Sequence, residues 1–207
     1  MPDNCISTDS NRLLPSDTFA DTKAAFFELL RFRRSIRAFD SRPVEEEKLQ
    51  KILRAANSAP SAGNLQGYEI GVIRDPRMKQ ALVKATFNQA FIAQAPVFLL
   101  FCTHQARSAV KYPGAGAELF SLQDATIACA YAELATAALG LGTVWIGALD
   151  VPAIRQITGI PPEWTPVALL PIGYRGQVPP PTPRRHLNEI VHELNGSRGG
   201  ASDLDAV

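Results

Sequence analysis

Residues 119–149 read LFSLQDATIACAYAELATAALGLGTVWIGAL, a helix candidate (119–140) that stops at glycine and passes at once into a strand candidate, TVWIGAL (143–149). Small residues recur at three- and four-residue steps: Ala125, Ala128, Cys129, Ala132, Ala135 and Thr136. That spacing lets another element approach closely along one helix face. Its partner is either the chain's own sheet or a second copy of the chain. Gly140 reads as an ordinary helix stop. Gly147, inside the strand candidate, suggests a close approach of backbone to something flat. Gly140, Gly142 and Gly147 lack the dinucleotide-binding spacing, and no GK[ST] follows, so neither phosphate-loop reading holds.

Outward from this stretch the pattern is mixed. YEIGVI (68–73) alternates as a half-buried strand, PVFLLFC (96–102) reads as a fully buried one, and TPVALLPIGY (165–174) is a further strand. Helices are expected over 20–34, with Ala24, Phe27, Leu30 and Arg31 at helical spacing, and over PVEEEKLQKILRAANSA (43–59). Others should follow Pro76 and Pro152. Residues 103–118 lack strong periodicity and suit a loop or lid. QVPPPTPRR (177–185) must be extended, and 186–194 is a short helix or strand. The fold class is α+β with about four strands, too irregularly interleaved with helices for a doubly wound sheet. One domain is expected over 21–195, between a polar leader (1–20) and a polar tail (196–207).

The 207 residues carry 21 basic and 20 acidic side chains, a formal charge of +1. Bulk charge therefore excludes nucleic-acid or anionic-membrane recognition. Cys5, Cys102 and Cys129 fit neither a metal nor a disulfide framework. The N-terminus lacks a signal-peptide pattern, and APVFLLFC (95–102) is too short to span a bilayer. The expectation is a reduced, soluble, cytoplasmic protein.

Against this neutral background, RRSIRAFDSRPV (33–44) concentrates arginine. Arg33, Arg34, Ser35 and Arg37 offer forked donors and a hydroxyl within five residues, the set a phosphate needs. A basic helix end facing its own dipole would look the same. The loop APSAGNLQ (59–66) exposes backbone amides, and Asn64 and Gln66 carry paired donors and acceptors suited to the edge of a heterocycle. His104, His186 and His192 are not at metal-ligand spacing, and no metal site is assigned. No GxSxG elbow exists, and the cysteines read as core. Asp124 and Glu133 are expected at solvent or an interface. Binding loops without a side-chain catalytic set imply that a cofactor supplies the chemistry.

In their order and spacing, RRSIRAF, APSAGNLQGYEI, ALGLGTVWIGAL, and PIGY followed by a Pro-rich stretch and RRHLNEIVH resemble the FMN-dependent nitroreductase family over roughly residues 23–193. The resemblance implies a central, mostly antiparallel sheet flanked by helices, in an intertwined homodimer with FMN at the interface. It implies hydride transfer from NAD(P)H to flavin and on to a small-molecule acceptor such as a nitroaromatic or quinone. By motif, Arg33, Arg34, Ser35 and Arg37 match the segment holding the FMN phosphate, ribityl chain and pyrimidine edge. Pro60, Ser61, Asn64 and Gln66 match the loop that contributes across the dimer interface. Ile146 and Gly147 match the backbone facing the isoalloxazine, and Arg184 matches the basic residue completing the phosphate site. No catalytic side chain is implied.

The chain also departs from the family pattern. Gly67 stands where Pro is common after the loop glutamine, and Tyr68 where Trp is frequent. Thr182 stands where a Lys is frequent, with Arg185 on the far side of Arg184. Gly67 is expected to loosen the loop, and the phosphate site to lean on the N-terminal arginines. Reductive dehalogenation, flavin fragmentation, oxidation of a peptide-like substrate and plain FMN binding remain open as alternatives.

Overall fold

The computed structural model describes residues 20–194. The expected tail, and the leader apart from Ala20, lie outside them. In chain order the main elements are α1 (Ala20–Phe32), β1 (Phe39–Asp40), α2 (Glu46–Asn57), β2 (Tyr68–Ile73), α3 (Pro76–Ala85) and β3 (Val97–His104). Then come α4 (Gln105–Ala109), α5 (Ala115–Ala138), β4 (Gly142–Thr143), α6 (Val151–Thr158) and β5 (Trp164–Arg175). The sheet runs β1-β5-β3-β2, with β4 also paired to β5, and these strand pairs are all antiparallel.

Period-two alternation explains why β3 is apolar from Val97 to Cys102. Val97, Leu99 and Phe101 face a core shared with α2 and α5, whereas Phe98, Leu100 and Cys102 face one shared with α3 and α6. A strand covered on both faces has no polar side to show. β5 divides the same way, with Ala168, Leu170 and Ile172 on the first face and Leu169 on the second. Helix ends are conventionally capped: Asp75 and Asp150 accept from the Met78 and Ala153 amides, and α6 ends at Gly159 in the left-handed region.

The strand expected over 143–149 is not formed as such. Regular pairing ends at Thr143, and one isolated bridge, Ile146 to Leu169, continues the register. Ile146 and Leu169 exchange both backbone bonds at 3.0 Å. The next bonded pair in that register would be Val144 with Pro171, and proline has no N–H to give. The ladder is therefore interrupted at Val144–Trp145.

α5 begins four residues before its expected start, and its small-residue face is spent within the chain. Ala125, Ala128, Cys129 and Ala132 are buried with α2 and the sheet. Small side chains let α2 sit close, so Ala125, Ala128, Cys129 and Ala132 serve the chain's own core, whereas Ala135 is half-buried and borders an apolar groove with Phe26 and Tyr131. The apolar surface left open lies elsewhere, on α1 (Phe26, Phe27, Leu30, Phe32) and on Leu119, Leu122 and Tyr131 of α5. Phe27 is 67% exposed.

Residues 103–118 are more ordered than a plain loop. They hold the end of β3, α4 and the first turn of α5. Tyr112 packs edge-on to Phe120, with ring centroids 4.7 Å apart.

Candidate functional site

Arg33, Arg34 and Ser35 leave the C-terminal end of α1, and a main-chain contact fixes their position. The Ile36 N–H donates to the Thr143 carbonyl at 2.9 Å, and Ser35 bridges Thr143 in parallel. Gly142 permits this approach, because a Cβ there would fall 2.9 Å from the Ile36 side chain. The arginine segment is thereby joined to the chain leading to Ile146 and Gly147.

From the other side the Pro-rich segment folds over the helix end. Arg33, Arg34, Ser35 and Arg184 line one cleft of about 270 Å³ with Leu30, Arg31, Pro181 and Thr182. Arg31, off the sequence motif, thus joins the cleft, because it lies one helical turn before Arg34 and Ser35. Within the cleft Arg34 Nη1 donates to the Arg31 and Arg33 carbonyls at 2.7 and 2.8 Å. Arg33 pairs with Glu133 Oε1 at 3.6 Å.

Glu133 is not a solvent residue. Burial raises its pKa above the ordinary carboxylate value, and the Arg33 guanidinium opposes that rise. The Thr143 hydroxyl beside Ser35 is buried without a hydrogen-bond partner among the described residues. Arg37 is exposed and lies outside the cleft lining.

The loop residues Pro60, Ser61, Asn64 and Gln66 do not line that cleft. They form a separate, tightly held feature. Ser61 Oγ accepts from both the Gln66 backbone N–H and Gln66 Nε2, each at 3.0 Å, and Gln66 Nε2 also donates to Asn64 Oδ1 at 2.7 Å. Asn64 and Gln66 have φ of +58° and +45°, a region that costs non-glycine residues energy. Asn64 Nδ2 and Gln66 Oε1 remain unpaired among the described residues, an adjacent donor and acceptor.

Asp124 lies beneath this loop and is 1% exposed, which overturns its placement at solvent or an interface. It falls on the small-residue stripe of α5, four residues before Ala128, and burial follows from that position. Its oxygens accept from Ala62 N–H at 2.9 Å and Gly67 N–H at 3.0 Å. Gly67 therefore does not loosen the loop. Its N–H is bonded, its carbonyl accepts from His104 N–H at 2.8 Å, and a Cβ there would lie 2.2 Å from Ser108 Oγ. Arg107, paired with Glu69, donates to the Gln66 and Tyr68 carbonyls at 3.0 and 3.3 Å. Asp124 and Arg107 were missed because each lies some forty to sixty residues from the loop it holds.

Ile146 is buried in the core facing α3 and α6, while Gly147 is exposed immediately after it. Burial raises the Cys102 thiol to about 12 and pushes Cys129 up as well, so neither offers a ready thiolate. Among the described residues no three His, Cys, Asp or Glu side chains converge as a metal would require.

The nitroreductase family model matches residues 30–91 and 75–174, spanning both the cleft's arginine segment and the loop. The chain belongs to the nitroreductase family. A Thermus thermophilus protein named NADH dehydrogenase is 35% identical, over 77% of this chain and 91% of its own. A Bacillus subtilis protein named FMN reductase [NAD(P)H] is 32% identical, over 77% of this chain and 70% of its own. Among solved structures, the NADPH:FMN oxidoreductase of Vibrio harveyi complexed with NAD+ superposes with a TM-score of 0.76 at 28% identity, over 87% of this chain and 80% of its own.

Proposed function

We propose that this chain is an NAD(P)H-dependent FMN oxidoreductase, active as a homodimer, with its FMN-binding domain over residues 21–195. Bound FMN would supply the hydride chemistry that links NAD(P)H to an acceptor such as a nitroaromatic or quinone. The observation that carries the reading is the cleft in which Arg33, Arg34, Ser35 and Arg184 meet, a set of cationic and hydroxyl donors of the kind a phosphate takes. The relatives named FMN reductase and NADPH:FMN oxidoreductase support the same cofactor and donor.

In this reading Arg33, Arg34, Ser35 and Arg184 hold the phosphate, and Arg37 serves the ribityl chain or pyrimidine edge. Pro60, Ser61, Asn64 and Gln66 meet the ring of the other subunit's flavin, and the Ile146–Gly147 backbone faces it. The flavin supplies the redox chemistry, while these residues bind, orient and tune it. The open apolar surface of α1 and α5 supports a second copy as its cover. No helix among the described residues is long and apolar enough to cross a membrane, and the unpaired, buried Cys102 and Cys129 suit a reducing cytoplasm.

The test is anaerobic addition of NADH or NADPH to FMN-loaded protein. Flavin colour should bleach and then return on adding a nitroaromatic or quinone. Bound FMN that neither nicotinamide bleaches would contradict the reading and leave a flavin-binding protein. Sedimentation should give a dimer at micromolar concentration; a monomer there would remove the shared site.

A further inference from the structure

Loop 61–67 is held by contacts that its sequence does not announce, and these converge on one carboxylate. Asp124 projects from α5 into a buried space, and its two oxygens take one N–H from each end of the loop, Ala62 and Gly67. Between these points Asn64 and Gln66 sit in left-handed backbone. Such a conformation persists only where its surroundings over-determine it, and such residues cluster at active sites and ligand clamps. Each end needs its own donor, and Gly67 suits its place because it has an N–H to give and no Cβ to meet Ser108. Proline there would supply neither condition.

We infer that Asp124 is a positioning residue for the flavin ring, acting through loop 61–67, and that Gly67 is the partner through which it acts. By fixing both ends of the loop, the carboxylate sets the direction of Asn64 Nδ2 and Gln66 Oε1, the unpaired donor and acceptor presented by the loop. The role rests on the proposed function, since a ring must exist to be positioned. The clasp itself does not, since its bonds are formed by the chain alone.

The experiment compares wild type with Asp124→Asn, which keeps the volume and one acceptor oxygen, and with Thr86→Ala as a control. Thr86 is buried and bonds the Leu82 and Val83 carbonyls at the end of α3, away from the loop. Amide exchange is read at Ala62 and Gly67 in flavin-free protein. FMN affinity, and kcat against KM for the acceptor, are read well below the unfolding temperature. For Asp124→Asn, exchange at one or both amides should quicken by about tenfold to a hundredfold, the range for losing a buried hydrogen bond. FMN should dissociate at least about tenfold more readily by the same reasoning. Thr86→Ala should lower the melting temperature while leaving FMN affinity unchanged.

Unchanged exchange at both amides would overturn the clasp. Folded Asp124→Asn protein with wild-type FMN affinity and an unaltered flavin spectrum would overturn the positioning role. If wild-type protein retains no FMN, the proposed function and the positioning role fall together, and exchange alone still decides the clasp.

Discussion

The arginine cleft and loop 61–67 serve one proposed ligand by opposite means. The cleft gathers half-buried cations at a helix end, where Arg34 is occupied with backbone carbonyls and Arg33 with one carboxylate at 3.6 Å. Such contacts are readily exchanged for a phosphate. The loop is instead anchored to a buried charge, and its backbone is held in a region it would not choose alone. Charge recognition tolerates loose presentation because forked guanidiniums adapt to an anion. An uncharged ring edge gives weaker bonds, which reward donors and acceptors placed in advance.

If that contrast is right, the loop's supports should cost stability and the cleft's arginines should not. Asp124→Ala leaves two amides without acceptors and should lower unfolding free energy by about 3 kcal/mol, measurable by urea denaturation of the apoprotein. Gly67→Pro, although it installs the residue common in the family, should cost about 2 kcal/mol. It removes the N–H that Asp124 accepts and pushes atoms against Ser108 Oγ. A Gly67→Pro protein as stable as wild type would erase the distinction between the two regions. Replacing Arg33 and Arg34 together by Ala should change stability by no more than about 1 kcal/mol, the usual worth of part-exposed ion pairs.

The smallest expected effect concerns Glu133. Burial raises its folded pKa above the ordinary value of 4.5, so the folded state binds a proton more readily than the unfolded one. Stability from this group is therefore present at low pH and declines as pH rises from about 4.5 through the raised value. Glu133→Gln should flatten that decline in the apoprotein. An identical pH profile in the variant would remove Glu133 as its source.

Much of this was legible in the sequence, and the remainder was hidden for identifiable reasons. β2 falls on 68–73 as its alternation indicates, and β3 and β5 carry apolar runs that only a sheet covered on both faces explains. The break after Thr143 was illegible because Pro171 acts on Val144 through pairing rather than through sequence proximity. The arginines of the cleft are contiguous and announce themselves, while Arg184 reaches them only through the fold. Asp124 lies on the helical stripe, yet an acid on an alanine-rich face suggests solvent or an interface, because the two loop amides that bond it are distant in sequence. Reading the stripe strictly by period would have flagged it.

Central to the account is that the cleft holds the phosphate of a flavin. FMN and riboflavin share the same ring and differ at that group, so their affinities, measured by quenching of flavin fluorescence, isolate its contribution. Wild-type protein should bind FMN at least about a hundredfold more tightly than riboflavin, as several charge-assisted bonds imply. The Arg33→Ala, Arg34→Ala double variant should lose most of that difference. Equal affinity of wild-type protein for the two flavins would contradict the account.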